Sequence, residues 1–138
     1  MAEFQEILDF PLAPKLDVFG KLDPKKATTQ ELHGQEVFFG KGQCSACHVA
    51  PYYTDNLMHN LHVERFYKAQ VINGLIAPAG GDGPIKTPVL RGLKDTPTYF
   101  HDGRLMTVDD SVEFFNLILG TKLTSQEKKD LVAFLLTL

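Results

Sequence analysis

Cys44-Ser45-Ala46-Cys47-His48 is the stretch on which the rest of the sequence turns. Two cysteines three positions apart, followed directly by a histidine, read as an attachment site for a c-type haem. Two thiols can reach the two vinyl groups on one edge of a porphyrin. The next side chain can then place a ring nitrogen on the iron. Cys44 and Cys47 are therefore the expected thioether anchors of one covalent haem c, and His48 its expected proximal ligand. Two other chemistries use a C-x-x-C pair. A redox disulfide belongs with a βαβ pattern, which this chain lacks. A structural zinc takes four Cys or His ligands, and the chain has only two cysteines. His33, His59, His62 and His101 could add imidazoles, but none stands at a knuckle spacing.

The 138 residues suit one domain. A haem would add a large apolar plate to a modest core. The net charge of −3 argues against nucleic acid as a partner. No apolar run approaches the roughly 18 residues of a membrane span. The first residues, Met1-Ala2-Glu3-Phe4-Gln5-Glu6, are acidic and do not form a secretory signal. Covalent haem is normally attached outside the cytoplasm. A periplasmic or other extracytoplasmic location is therefore expected, with the signal sequence absent from this chain.

Around the motif the chain divides at residue 28. Residues 1–28 carry Pro11, Pro14, Pro24 and Gly20 and read as an N-terminal strap or linker. Phe10, Leu12, Leu16, Val18 and Phe19 are too many apolar side chains to leave in water, which favours an ordered strap. Residues 29–138 form the main domain. Thr28 or Thr29 can cap a helix running to about Phe39, with Leu32, Val37 and Phe38 on its apolar side. Gly34 costs that helix roughly 1 kcal/mol against Ala, a cost that close approach of another helix would explain. Gly40-Lys41-Gly42 ends it just before the motif.

Residues 49–60 are rich in aromatics and turn formers and read as an ordered loop. A short helix is expected over 63–75, with Val63, Phe66, Tyr67 and Val71 on one side. Residues 77–84 read as loop, and 87–103 as a second irregular segment. Thr107-Val108-Asp109-Asp110 can cap a helix that places Val108, Val112, Phe115 and Leu119 on one face. Thr124-Ser125-Gln126-Glu127 is a full capping box, followed by Leu131, Phe134, Leu135 and Leu138. No strand alternation stands out. The expected fold is all-α, with long loops wrapped around one haem.

The first helix with Gly34 and Phe38, the haem motif, and the closing Leu131-Val132-Ala133-Phe134-Leu135 helix together resemble the class I cytochrome c fold. The resemblance implies that Gly34 lies where the first and last helices cross, with Phe38 and Phe134 packed nearby. Further motifs narrow the likeness. They are Tyr52-Tyr53-Thr54-Asp55-Asn56 with His59-Asn60, then Thr87-Pro88-Val89-Leu90-Arg91, then Thr96-Pro97-Thr98-Tyr99-Phe100-His101-Asp102-Gly103. Over residues 29–138 these are similar to the C-terminal haem domain of bacterial di-haem cytochrome c peroxidases and of their relatives that mature methylamine dehydrogenase. Members carry two haems, and this chain has one motif, so it corresponds to about half of such a protein. The family's distal Met or Tyr falls at Phe115, which cannot bind iron.

Met106 lies where the resemblance brings a methionine over the haem, and it is the expected sixth ligand. Met58, His59, His101 and an open site are the other readings. Arg91, with its planar fork, is the expected partner of a haem propionate. The expected function is single-electron transfer to a redox partner protein. The alternative is a peroxidase or related oxidising enzyme, or a fragment of a di-haem peroxidase, with an open or weakly held distal site. A ligand-binding sensor would also need an open site. The sequence leaves the oligomeric state open.

Overall fold

Thr28 starts the first helix with a reciprocal cap. Its hydroxyl accepts from the Glu31 N–H at 3.2 Å, and the Glu31 carboxylate accepts from the Thr28 N–H at 2.8 Å. The helix, α1, spans Thr29–Phe39. The structure is a computed structural model that describes residues 13–62, 70–72, 75–77, 83–101 and 103–138. Two more α-helices follow among these residues, α2 at Val108–Leu119 and α3 at Ser125–Leu135. Thr124 and Glu127 form the second reciprocal cap at the start of α3. Thr107 caps α2 by accepting from the Asp110 N–H at 3.0 Å. The architecture is mainly helical with small strand pairs, in a cytochrome c-like arrangement.

Gly34 decides how the helices meet. A Cβ at this position would lie 1.9 Å from the Asp130 carbonyl oxygen, 2.5 Å from its carbon and 2.8 Å from the Phe134 Cβ. No side chain fits there, so α1 and α3 cross backbone against backbone. One turn on, Phe38 meets Phe134 edge to face, with ring centroids 5.3 Å apart. Both rings are fully buried, as is Tyr53 from the loop after the haem motif. Val37, Leu131, Val132, Leu135 and Leu138 complete this core with Val108 and Val112 of α2.

α2 buries less of its apolar face than its periodicity implies. Val108 and Val112 are in the core, but Phe115 is half-buried and Leu119 exposed. Phe115 stacks instead on Phe100 at 5.6 Å, and Phe114 meets Phe100 edge-on at 4.6 Å. The second half of α2 thus faces the Phe100 segment. Asn116 holds the turn into α3, its side-chain oxygen accepting from the Leu123 N–H at 2.8 Å and the Thr121 hydroxyl at 3.0 Å.

The described part of the strap, residues 13–28, lies on α1. Leu16 pairs with Leu22 in an antiparallel bridge, and Leu22 is 4% exposed. The Leu22 N–H donates to Gln35 at 2.8 Å, and the Lys21 ammonium sits 2.9 Å from the centre of the Phe39 ring. Val18 and Phe19 correct the expectation of burial, being 84% and 73% exposed. The Asp17 carboxylate accepts from the Phe19 and Lys21 N–H groups at 2.9 and 2.8 Å. That side-chain-to-backbone turn puts both residues at an outward tip. Phe10 and Leu12 lie outside the described residues.

The helix expected over 63–75 is also corrected. Gln70–Ile72 and Leu75–Ala77 are strands β2 and β3, antiparallel, with Ile72 opposite Leu75. Val71, Ile72 and Ile76 are β-branched, and the sequence between the strands is Asn73-Gly74. Both features favour a hairpin over a helix. Val63, Phe66 and Tyr67 lie outside the described residues. A second pair joins β1 (Met58–His59) to β4 (Ile85–Lys86), with His59 opposite Ile85.

Gly34→Ala is expected to cost at least about 1–3 kcal/mol, because the added Cβ meets backbone rather than a side chain that can move. Chemical denaturation of the haem-loaded protein measures it, and wild-type stability in the variant would place the crossing elsewhere. A second expectation concerns acid. The Glu127 carboxyl is held down at about 2, chiefly by the Lys41 ammonium and then by the Thr124 N–H. Lys41 and Glu127 are 2.7 Å apart. The unfolded carboxyl, near 4.5, binds its proton first as pH falls. The pair therefore stabilises the fold above that value and loses its contribution as pH drops towards about 2. Glu127→Gln should flatten the fall of melting temperature across this window.

Candidate haem-binding site

The end of α1 presents the motif. The Gly40 and Gly42 N–H groups both turn back onto the Val37 carbonyl, at 3.3 and 2.8 Å. A Cβ on buried Gly42 would lie 2.8 Å from that carbonyl oxygen and 3.3 Å from the Cys44 sulfur. Gln43, at φ +57°, then turns the chain into a 3-10 turn over Cys44–Ala46. The Cys44 carbonyl accepts from Cys47 N–H at 3.3 Å and from His48 N–H at 2.9 Å. Both cysteines and the histidine are thus held on one continuous turn.

His48 Nδ1 lies 2.8 Å from the Tyr53 carbonyl oxygen. That oxygen can only accept, so the proton belongs on Nδ1 and the Nε2 lone pair is left for a metal. Burial, the dominant influence, holds the ring below its ordinary pKa, against the upward pull of the Tyr53 carbonyl, the Asp55 carboxylate and the Pro88 carbonyl. A neutral imidazole is the form that binds iron. Burial also pushes the Cys44 thiol up to about 11, and raises Cys47, with the Asp55 carboxylate adding to it. A redox dithiol or a thiolate metal site needs the opposite shift. Neither cysteine is in a disulfide.

A polar clamp fixes the chain after the motif. Asp55 accepts from the Leu57 N–H at 2.9 Å and pairs with His59 Nε2 at 2.6 Å. The Leu57 N–H, then His59 and Thr87, hold the Asp55 carboxyl at about 2. The Thr54 hydroxyl donates to the Thr87 carbonyl at 2.8 Å, and the Thr87 N–H donates to the Leu57 carbonyl at 2.9 Å. Segments 54–59 and 85–87 are thereby joined. Cys47 Sγ, an Asp55 oxygen and a His59 nitrogen come within 4.8 Å of one another. This is one thiol in a mixed trio, not the four Cys/His ligands of a structural zinc. The same sulfur is an anchor in the haem reading.

Of the other residues singled out by sequence, His59 reaches this turn, with a ring nitrogen within 4.8 Å of the Cys47 sulfur. Arg91 is half-buried, with its Nε donating to the backbone oxygen of Leu138 at 3.2 Å, and it is near enough to act on the Tyr53 phenol. Met106 is 65% exposed, directly ahead of the Thr107 cap of α2. Met58 is exposed in β1, and His101, His33 and His62 are exposed. His59 is taken up by Asp55. The residue whose role went unread is Tyr53. It stood inside a recognised motif, but its contribution to His48 is a backbone carbonyl, which no side-chain pattern marks.

Two anchoring thiols, a histidine with a directed lone pair and a helix crossing behind them define a c-type haem attachment domain. No protein-family model matches the chain. Among curated proteins, it is 31% identical over 143 residues to the cytochrome c551 peroxidase of Nitrosomonas europaea, covering 100% of this chain and 42% of the relative. It is 31% identical over 170 residues to the cytochrome-c peroxidase IdrP2 of Denitromonas iodatirespirans, covering 98% and 46%. It is 29% identical over 152 residues to the methylamine utilization protein MauG of Methylorubrum extorquens, covering 100% and 42%. The chain is a cytochrome c peroxidase/MauG-like haem-binding domain, distantly related to these proteins. It spans less than half the length of these relatives. Solved structures agree on the fold. A MauG-like protein associated with microbial copper homeostasis matches with a TM-score of 0.62 at 24% identity, over 81% of this chain and 47% of that one. Hydrazine synthase of Kuenenia stuttgartiensis matches with 0.67 at 24%, over 96% and 52%.

Cys47→Ala should weaken or abolish the haem stain on a denaturing gel of protein matured with a haem-attachment system. A wild-type chain from that system that held zinc and no haem would overturn the attachment site.

Proposed function

We propose that the chain is the electron-relaying haem domain of a peroxidase/MauG-type oxidising protein that works outside the cytoplasm. The observation that carries this is the joint one: a complete proximal haem site in a chain whose whole length aligns to under half of a peroxidase. A free-standing electron carrier would use the same site, but the relatives are peroxidases and MauG, which favours the oxidising system. Among the described residues no helix is long and apolar enough to cross a membrane. When bound, the haem supplies one-electron chemistry between Fe(III) and Fe(II).

The residues of the chain divide the remaining work. Cys44 and Cys47 anchor the group, and His48 supplies the proximal nitrogen. Arg91 would pair with a propionate, on the support of its half-buried guanidinium, which is near enough to act on the phenol of Tyr53, the residue that holds His48. Met106 would supply the sixth ligand, on the support of its exposure in the segment ahead of α2, where its thioether is not committed to the core. Val49, Tyr52, Leu57 and Met58 are exposed large apolar side chains that follow the motif directly. Such a run offers surface for a haem or a redox partner protein to cover.

The visible spectrum of the holo-protein tests the relay. A six-coordinate low-spin haem that reacts slowly with peroxide is expected. Met106→Ala should abolish the long-wavelength band of a ferric Met–iron bond and turn the haem high-spin. An unchanged spectrum would exclude Met106. A native haem already high-spin and quick to react with peroxide would make this domain the catalytic one instead.

A further inference from the structure

Tyr53 is joined to three separate parts of the molecule. Its ring is fully buried and packs edge to face on Phe38 at 5.4 Å and on Phe134 at 6.1 Å, at the crossing of α1 and α3. Its hydroxyl donates to the Gly20 carbonyl in the strap. Its own carbonyl accepts from His48 Nδ1 at 2.8 Å. The backbone that connects these contacts is left-handed, with φ +59°. A tyrosine is a poor choice for that conformation, in which glycine or asparagine sits without strain. Such a residue persists where its surroundings over-determine it. Here they do so from two sides, the ring by the helix crossing and the hydroxyl by the strap.

We infer that Tyr53 is the positioning residue for the proximal ligand. The wedged ring and the strap-bound hydroxyl hold the left-handed turn that aims the Tyr53 carbonyl at His48 Nδ1. The strap takes part because Gly20 is itself pressed onto the chain after the motif. A Cβ on Gly20 would lie 2.8 Å from the Pro51 Cα and 3.3 Å from the Ala50 Cβ. The orientation and basicity of His48 are thereby set by a residue 28 positions earlier in the chain. An Nδ1–H donated to a carbonyl makes the imidazole a stronger electron donor, which favours the oxidised metal. Loosening the clamp weakens that bond and raises the midpoint potential. The inference rests on the haem reading for its electrochemical consequence, but the clamp on His48 is a property of the chain itself.

Tyr53→Phe is the test, since it keeps the ring and the backbone carbonyl and removes only the bond to Gly20. Midpoint potential and His48 Nδ1–H exchange are measured on the holo-protein, the second by NMR of the ferrous form. The variant should raise the potential and speed the exchange about tenfold, the scale of one lost hydrogen bond. Gly20→Ala, which displaces the strap from its other side, should shift both in the same direction, and it carries the test if Tyr53→Phe does not fold. Leu123→Ala is the control. It removes a buried side chain that the turn between α2 and α3 supplies, and it should lower the melting temperature while leaving both readings alone. If Tyr53→Phe melts earlier with potential and exchange unchanged, Tyr53 only fills the core and the inference fails. Equal shifts from Leu123→Ala overturn it too. In a chain that carries no haem the haem reading is lost, and the exchange rate of His48 alone still decides the clamp.

Discussion

The contact between Gly34 and the Asp130 carbonyl group is the constraint from which the remaining geometry descends. It lets two helices from opposite ends of the domain touch through their backbones. At that separation Phe38 and Phe134 interlock one turn further along, and the space beside them is filled by Tyr53. The haem motif hangs from the end of α1 by a three-residue turn onto the Val37 carbonyl. Any change in the distance or angle of the crossing therefore moves the origin of that turn. It also moves the ring of the residue that holds His48.

Magnitudes rank the contributions. Each large apolar side chain fully buried here stabilises the fold by about 1.5–3 kcal/mol. The edge-to-face ring pairs add about 0.5–1.5 kcal/mol each. Among the described residues, the ion pairs Lys15–Glu31, Lys26–Asp23, Lys41–Glu127 and Lys128–Glu113 have partly exposed ends. Pairs of that kind contribute about 0–1 kcal/mol. The crossing and its three rings thus hold α1 to α3, while the two reciprocal caps set where these two helices begin. The Asp55 clamp is different in kind. It joins short segments whose large side chains Leu57 and Met58 are left exposed, so hydrogen bonds rather than buried apolar surface hold them together.

What was legible in the sequence follows from what sequence encodes locally. The haem motif is contiguous, so its chemistry is written in five letters. Thr28 with Glu31 and Thr124 with Glu127 are caps closed within three residues, and both helices begin where these caps put them. Gly34 was readable because glycine inside a helix carries a cost that demands a packing reason. The pair β2 and β3 was misread as helix, although Asn73-Gly74 between β-branched residues signals a hairpin. The apolar spacing of Val63, Phe66, Tyr67 and Val71 satisfied the helical period and outweighed that turn signal. Val18 and Phe19 were expected inside because of their size, and an aspartate two residues or fewer away turns them outward.

The orienting part of the site is illegible for a deeper reason. The groups that orient it, the carbonyls of Gly20, Tyr53 and Thr87 and the N–H group of Leu57, belong to the backbone. Every residue carries such groups, so composition cannot mark them, and only the fold decides where they point. Their partners are side chains up to 33 positions away, as with Tyr53 and Gly20 or Thr54 and Thr87. A reading of side chains therefore finds the atoms that bind a haem and misses those that aim them. Leu22 is part of the core and Gly20 receives the Tyr53 hydroxyl, so residues 20–22 belong physically to the domain that carries His48. The strap therefore shares with the helices in holding the residue that orients His48.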